Sequence, residues 1–142
     1  TNYCGKWIKH CGWYPDKKLR LWDTRLGSWG GTNPHDKVIM KKGTRITHLN
    51  HDILHYSFYT VEQHLQQIDF FTNISAKAAF DRGEKSSSFK IIYKSVFKFF
   101  RDYILKLGFL DGYYGFIICK NSAFAKQMKY RKLKDLNKSR PK

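Results

Sequence analysis

The sequence predicts an α+β fold, on three observations. Up to about residue 60, short apolar runs are broken by Gly, Pro and Asn. Beyond it, apolar residues recur at helical spacing. At 142 residues the chain has the length of about one domain, with enough apolar residues for a modest core.

The strands are expected at Lys18–Asp23, Val38–Met40, Arg45–Leu49 and Ile53–Ser57, each a short run bounded by turn residues. The first helix is expected to start at Thr60, where Thr60-Val61-Glu62-Gln63 fits a capping box, and to run to about Asp81, ahead of Gly83. Helical spacing predicts a buried stripe of Val61, Leu65, Ile68, Phe71 and Ala79. A second helix should follow Ser86-Ser87-Ser88 and stop at Gly108 as its C-cap.

On that second helix Phe89, Ile92, Tyr93, Val96, Phe97, Phe99, Phe100, Tyr103, Ile104 and Leu107 fill an arc of roughly 160°, edged by Lys90, Lys94, Lys98 and Arg101. Two readings stay open: a core helix whose lysines are a solvated face, or an interfacial helix with its aromatics in the headgroup boundary and its cations on anionic lipid. Leu107 to Cys119 is apolar and aromatic, but it is interrupted by Asp111 and much shorter than the ~20 residues a membrane span needs, so no transmembrane segment is expected. The tail from Lys126 to Lys142 carries Lys129, Arg131, Lys132, Lys134, Lys138, Arg140 and Lys142 and should be helical at first and frayed at its end.

Against 27 Lys+Arg stand 11 Asp+Glu, a net charge of +16, which favours polyanionic partners: nucleic acid, anionic lipid or phosphate-bearing substrates. The three cysteines, Cys4, Cys11 and Cys119, form no CxxC pair, which argues against a disulfide framework or a zinc ribbon and for a reducing, cytosolic setting. The chain opens at Thr1 straight into a run with Tyr, Trp and Ile, without a signal-peptide pattern, and reads as a piece of a longer protein. A Gly-rich phosphate loop, Ser/His/Asp spacing and Cys/His nucleophile pairing are all missing from the sequence, which removes several enzyme classes.

The chemistry-bearing residues concentrate between Gly12 and Asp36. There Gly30-Gly31 and Pro34 lead into His35-Asp36, a loop-to-strand junction where a carboxylate can be held rigidly toward a pocket and accept a proton from an attacking hydroxyl. A turn-capping role for Asp36 is equally compatible with the sequence. Trp7, Trp13, Trp22 and Trp29 suit stacking on sugars or bases as well as core packing, and Arg20 and Arg25 suit bidentate phosphate contacts as well as a solvated strand face. His48, His51 and His55 lie close in sequence, yet in an extended strand they would fall on different faces, so a three-histidine metal site is not expected. His55, at a predicted strand end, is the best placed of them for function or for a structural hydrogen bond.

The order GWYPD, KLRLWDTR, WGGTNPHDKV, ILHYSFYT and FFRDYILKLGFLDGYYGF resembles the second half of bacterial family 2 glycosyltransferases, particularly the lipopolysaccharide core glucosyltransferase type, over nearly the whole chain. The resemblance implies acceptor-side strands and loops of a GT-A α/β glycosyltransferase over residues 1–59, followed by C-terminal amphipathic helices and a basic tail over 60–142. It implies that the donor-binding half lies upstream, and that the isolated chain is inactive. Asp36 then stands where such enzymes commonly place the Glu of a His-Glu pair, in the region that supplies the acceptor-activating base; aspartate has one methylene less reach. His35 would shape the acceptor pocket. Trp13, Asp16 and Arg20 match a GWxPDxxxR pattern and would serve pocket architecture and substrate contact. His55 would be a donor-side contact or supplementary metal ligand.

The implied cofactor is a divalent metal, Mg or Mn, bound mainly by the upstream half. The implied partners are a nucleotide-sugar donor, a lipid-linked or lipopolysaccharide-type acceptor, and an anionic membrane surface met by Lys90, Lys94, Lys98 and Arg101. The implied location is peripheral, on the cytoplasmic face of the inner membrane. Two other classes fit the composition: a structural membrane-surface adaptor, and a non-catalytic basic module on nucleic acid or anionic membrane. The sequence contains no RNP, KH or helix-turn-helix pattern, so nucleic acid is not the expected partner.

Overall fold

The computed structural model describes residues 1–31 and 36–139. Its architecture is a small α+β arrangement, with three α-helices and five short strands in two sheets among the described residues. The strands are β1 (Asn2–Tyr3), β2 (Lys6–Trp7), β3 (Gly27–Gly30), β4 (Lys37–Met40) and β5 (Tyr56–Phe58); the helices are α1 (Val61–Asp81), α2 (Ser88–Phe100) and α3 (Gly112–Lys138).

The first sheet has the order β2-β1-β5, with β1 antiparallel to β2 and parallel to β5. Cys4 and Gly5 both take positive φ, 50° and 87°, the geometry of a tight two-residue hairpin, and Asn2 Oδ1 accepts from the Gly5 amide at 3.1 Å. The second sheet is the hairpin β3–β4, in register from Gly27 opposite Met40 to Gly30 opposite Lys37.

Of the expected strands, Val38–Met40 is found within β4, and Ile53–Ser57 is found shortened and displaced to Tyr56–Phe58. Lys18–Asp23 and Arg45–Leu49 are not strands. In the first of these, Asp23 accepts from the Arg25 amide at 2.8 Å and its carbonyl accepts from Leu26 at 2.9 Å, which commits the chain to a turn; pairing begins only at Gly27. Leu21 is left 86% exposed, and Ile46 and Leu49 are also exposed, so these runs have no covering layer to make a strand of them.

Helix α1 starts as expected. Thr60 Oγ1 accepts from the Gln63 amide and Gln63 Oε1 accepts from the Thr60 amide, both at 3.3 Å. Its end wraps onto Gly83, φ 75°, whose amide donates to Phe80 at 2.8 Å. The buried stripe is displaced from the expected one: His64, Ile68, Thr72, Ala76 and Ala79 point inward, whereas Leu65 and Phe71 are each 40% exposed. The small residues let α3 approach, and Leu133 of α3 is wholly buried with Ala76 and Ala79.

Helix α2 is capped by Ser87, whose Oγ accepts from the Lys90 amide at 3.1 Å, and continues through a π-helical turn, Arg101–Leu105. The left-handed residue that ends it is Leu107, φ 53°, not Gly108. Gly108 is required for another reason: a Cβ there would lie 2.7 Å from Cys119 Sγ and 2.8 Å from the Asp102 carbonyl. A short 3₁₀ turn, Gly108–Asp111, then hands the chain to α3, where a Cβ at Gly115 would come 2.0 Å from the Gly108 carbonyl oxygen.

The main core joins both halves of the chain. Tyr3, Ile8 and Cys11 from the N-terminal segment meet Ile118 and Cys119 of α3, flanked by Trp13, Phe58 and Phe99. Helices α1 and α2 both lie against α3, α1 through the small-residue stripe and α2 through its more covered side, Ile91, Ser95 and Phe99, with Asp102 of the π-helical turn in line with them. Among the described residues no helix is long and apolar enough to cross a membrane.

Candidate functional site

Asp36 is exposed and immediately precedes β4, whose first residue, Lys37, pairs with Gly30. His35 lies outside the described residues. Trp13 is half-buried and meets Tyr3 and His64 edge-on, at 5.7 and 5.8 Å between ring centroids. Asp16 is exposed and pairs with Lys18 at 3.1 Å, and Arg20 is exposed. His55 is exposed, with Nδ1 3.2 Å from Ser57 Oγ and its carbonyl accepting from the Asn2 amide at 2.7 Å. Among the described residues no hydrogen bond or ion pair links Asp36 with Asp16, Arg20 or His55. Arg25 is engaged by Asp23 through Nε and Nη2, at 2.6–3.0 Å, and this holds the Asp23 carboxyl below its ordinary range.

The segment leading into GWYPD is pinned to the LDG turn by one carboxylate. Asp111 accepts from the amides of His10 (2.8 Å) and Lys9 (3.3 Å), and its Oδ1 stands 3.1 Å from His10 Nδ1. The Asp111 carbonyl accepts from Lys6 Nζ at 2.7 Å, and the Cys11 amide donates to the Lys106 carbonyl at 3.1 Å. Asp111 is itself buried, so its charge is held by these donors in place of water. Beside this clamp lies an open cleft of about 380 Å³ lined by Lys9, His10, Gly12, Tyr14, Pro15 and the turn Leu105–Leu107. Lys9 and Lys106 make it a basic cleft, suited to an anionic group. Sequence reasoning missed Asp111 and His10: they are 101 residues apart, and the only local sign was the Asp-Gly turn signal.

Behind the clamp His64 Nδ1 stands 3.0 Å from the Tyr3 hydroxyl and 3.2 Å from Asn121 Nδ2. An amide NH₂ only donates, which fits a neutral His64 that accepts at Nδ1 and carries its proton on Nε2. Burial lowers the His64 pKa to about 4, and burial is likewise the main reason that the Tyr3 hydroxyl is pushed up to about 12. This network is internal and shapes the core under Trp13. Cys11 and Cys119 are buried and free; a hydrogen bond to Cys119, then burial, raises the Cys11 thiol.

The third surface is α2. Phe89, Tyr93 and Phe97 stack along it with centroids 6.0 Å apart at each step, and with Ile92, Val96 and Phe100 they line a shallow apolar trough of about 420 Å³. Phe89 is 77% exposed, and every residue of α2 keeps some exposure. Of the cations flanking this face, Lys98 (2.5 Å) and Arg101 (2.9 Å) hold the buried Asp102 carboxylate. Lys90 Nζ donates to the Lys85 carbonyl and stands 5.1 Å from the Tyr130 ring centroid; Lys94 is exposed.

The chain is similar to proteins named as uncharacterized glycosyltransferases. A protein from Rickettsia bellii named an uncharacterized glycosyltransferase is 28% identical over 129 residues, covering 86% of this chain and 44% of the relative. Similarly named proteins from Rickettsia conorii (29% over 127 residues) and Rickettsia felis (28% over 127 residues) each cover 84% of this chain and 45% of the relative. The chain thus spans a little under half the length of the curated relatives it matches. No protein-family model and no solved structure matches it. The described residues contain no group of three or more His, Cys, Asp or Glu that could hold a metal ion.

Proposed function

We propose that this chain is the acceptor-side and C-terminal portion of a family 2 glycosyltransferase of GT-A type, which moves a sugar from a nucleotide-sugar donor to a lipid-linked or lipopolysaccharide-type acceptor at the cytoplasmic face of a membrane. The observation that carries this reading is the clamp of Lys9 and His10 onto Asp111 of the LDG turn, because beside it two of the segments that carry the resemblance, GWYPD and the turn Leu105–Leu107, meet and form a basic cleft. The relatives named glycosyltransferases, aligned over most of the chain, support the same reaction class. The outward aromatic face of α2, on a chain of net charge +16, supports a membrane-surface acceptor.

In the proposed reaction the acceptor hydroxyl attacks the anomeric carbon, its proton passes to the Asp36 carboxylate, and the bond from that carbon to the nucleoside diphosphate breaks as the new glycosidic bond forms. Asp36 is solvent-accessible at the head of a hairpin strand, where a substrate can reach it. Lys9 and Lys106 offer charge to phosphate groups of the substrates. The test is nucleoside diphosphate release by the full-length protein, supplied with a panel of nucleotide sugars and a lipid extract. Asp36→Asn should lower turnover by on the order of 10²–10⁴ without changing stability, since removal of a general base costs that much and the side chain is exposed. Turnover that survives Asp36→Asn would overturn Asp36 as the base.

A further inference from the structure

The seam between α2 and α3 gathers more positive charge than its acids balance. Lys90, Lys94, Lys98 and Arg101 line the α2 side, and Lys126 and Lys129 the α3 side. Lys90 and Lys129 stand over the same Tyr130 ring, at 5.1 and 5.7 Å. Among the described residues two carboxylates reach this region. Asp102 is taken by Lys98 and Arg101, and Glu84 pairs with Arg82 at 2.7 Å and is felt more weakly by Lys129 and Lys90. The Lys126 ammonium, half-buried, is disfavoured by burial first and then by the charges of Lys129, Lys98, Arg101 and Lys94. An anion between the helices would relieve this crowding.

The position of the seam selects the kind of anion. About 100° per residue around α2, the cations fill the sector between the side packed on α3 and the exposed aromatic arc. A free phosphate would satisfy the cations and leave Phe89, Tyr93 and Phe97 in water. A lipid in a bilayer satisfies both, with the phosphate at the seam and the aromatic face in the adjoining headgroup boundary.

We propose that the α2–α3 seam, centred on Lys94, Lys126 and Lys129, seats the phosphate of an anionic membrane lipid while the aromatic face of α2 lies in the bilayer interface beside it. The seat rests on the membrane-surface part of the function proposed above, and its test separates the two.

The chain is co-sedimented with vesicles of phosphatidylcholine alone and of phosphatidylcholine mixed with phosphatidylglycerol. The wild type should prefer the mixed vesicles. Lys126→Met with Lys129→Gln should weaken that partition at least about tenfold, as expected for two cations near a charged surface, and should raise the melting temperature of the free chain by relieving repulsion. Lys17→Gln with Lys42→Gln, two exposed lysines outside the helices, removes the same charge and should change partition far less. Tyr93→Ser with Phe97→Ser should remove binding to both kinds of vesicle.

An equal loss from the Lys17 and Lys42 pair would assign the effect to the whole positive field and overturn the seat. So would an unchanged preference for phosphatidylglycerol in the Lys126 and Lys129 pair, although binding lost only with the aromatic pair would leave the membrane reading standing. No sedimentation of the wild type with either vesicle would overturn both. Amide shifts induced by inorganic phosphate and lost in the Lys126 and Lys129 pair, without any change in vesicle binding, would make the seam a site for free anions and overturn the lipid.

Discussion

Helices α1 and α2 lie against the same partner, α3, and are held to it in different ways. Helix α1 buries small and polar side chains, His64, Thr72, Ala76 and Ala79 among them, and leaves Leu65, Phe70 and Phe71 toward solvent. Helix α2, the more strongly amphipathic in its sequence, buries Asp102 from its continuation with the cations that hold it and presents a row of stacked aromatics outward. Apolar periodicity therefore identifies a face that seeks cover, and does not identify what covers it. On α1 the close approach of α3 favours alanine over bulk. On α2 the packed side is organised by a buried charge and its pairs, and the apolar side is left for something outside the described residues.

The comparison can be broken at the buried charge. Asp102→Asn removes the counter-charge of Lys98 and Arg101, and should cost about 1.5 to 3 kcal/mol in urea denaturation, the usual worth of hydrogen bonds to a charged group when the partners left behind can reach water. A loss no larger than that of an exposed substitution would mean that α2 does not depend on this pair. On the α1 side the corresponding internal polar group is His64. Its folded pKa of about 4 lies below the ordinary 6.5, so the unfolded chain binds more protons between these values, and stability present above pH 6.5 is lost as the pH falls toward 4. The loss is at most about 3 kcal/mol, and a melting scan across that window should show it; a flat profile would contradict a neutral, buried His64. The smallest effect belongs to the outward face: Phe97→Ser should change stability by no more than about 0.5 kcal/mol, because its ring stacks only along its own helix at the surface. A cost of several times that in thermal denaturation would place the α2 aromatics in the core after all.

What was legible in the sequence was local. The Thr60–Gln63 box and the Ser87 cap are satisfied within three residues, and Gly83 ends α1 with bonds that reach back only a turn. The strands were poorly legible, because β1 needs β5 from the far side of a long irregular segment and pairs there over two residues. Lys18–Asp23 has the composition of a strand but finds no edge to pair with. The candidate site was legible in part. Asp36 and the GWYPD segment could be singled out as residues, but the Asp111 clamp on Lys9 and His10 and the Tyr3–His64 bond, 61 residues apart, join positions with no shared local pattern.

By itself the sequence determined where α1 and α2 begin, how much positive charge the chain carries, and that residues 89–107 form a broad apolar arc, since caps, charge and periodicity depend on neighbours a few residues apart. Only the tertiary structure decided which way that arc faces, which carboxylate holds the segment leading into GWYPD, and which cations pair with Asp102. Those outcomes depend on which surfaces the chain brings opposite one another, and the hydrophobic effect, being non-directional, leaves that choice to close packing and to the pairing of buried polar groups.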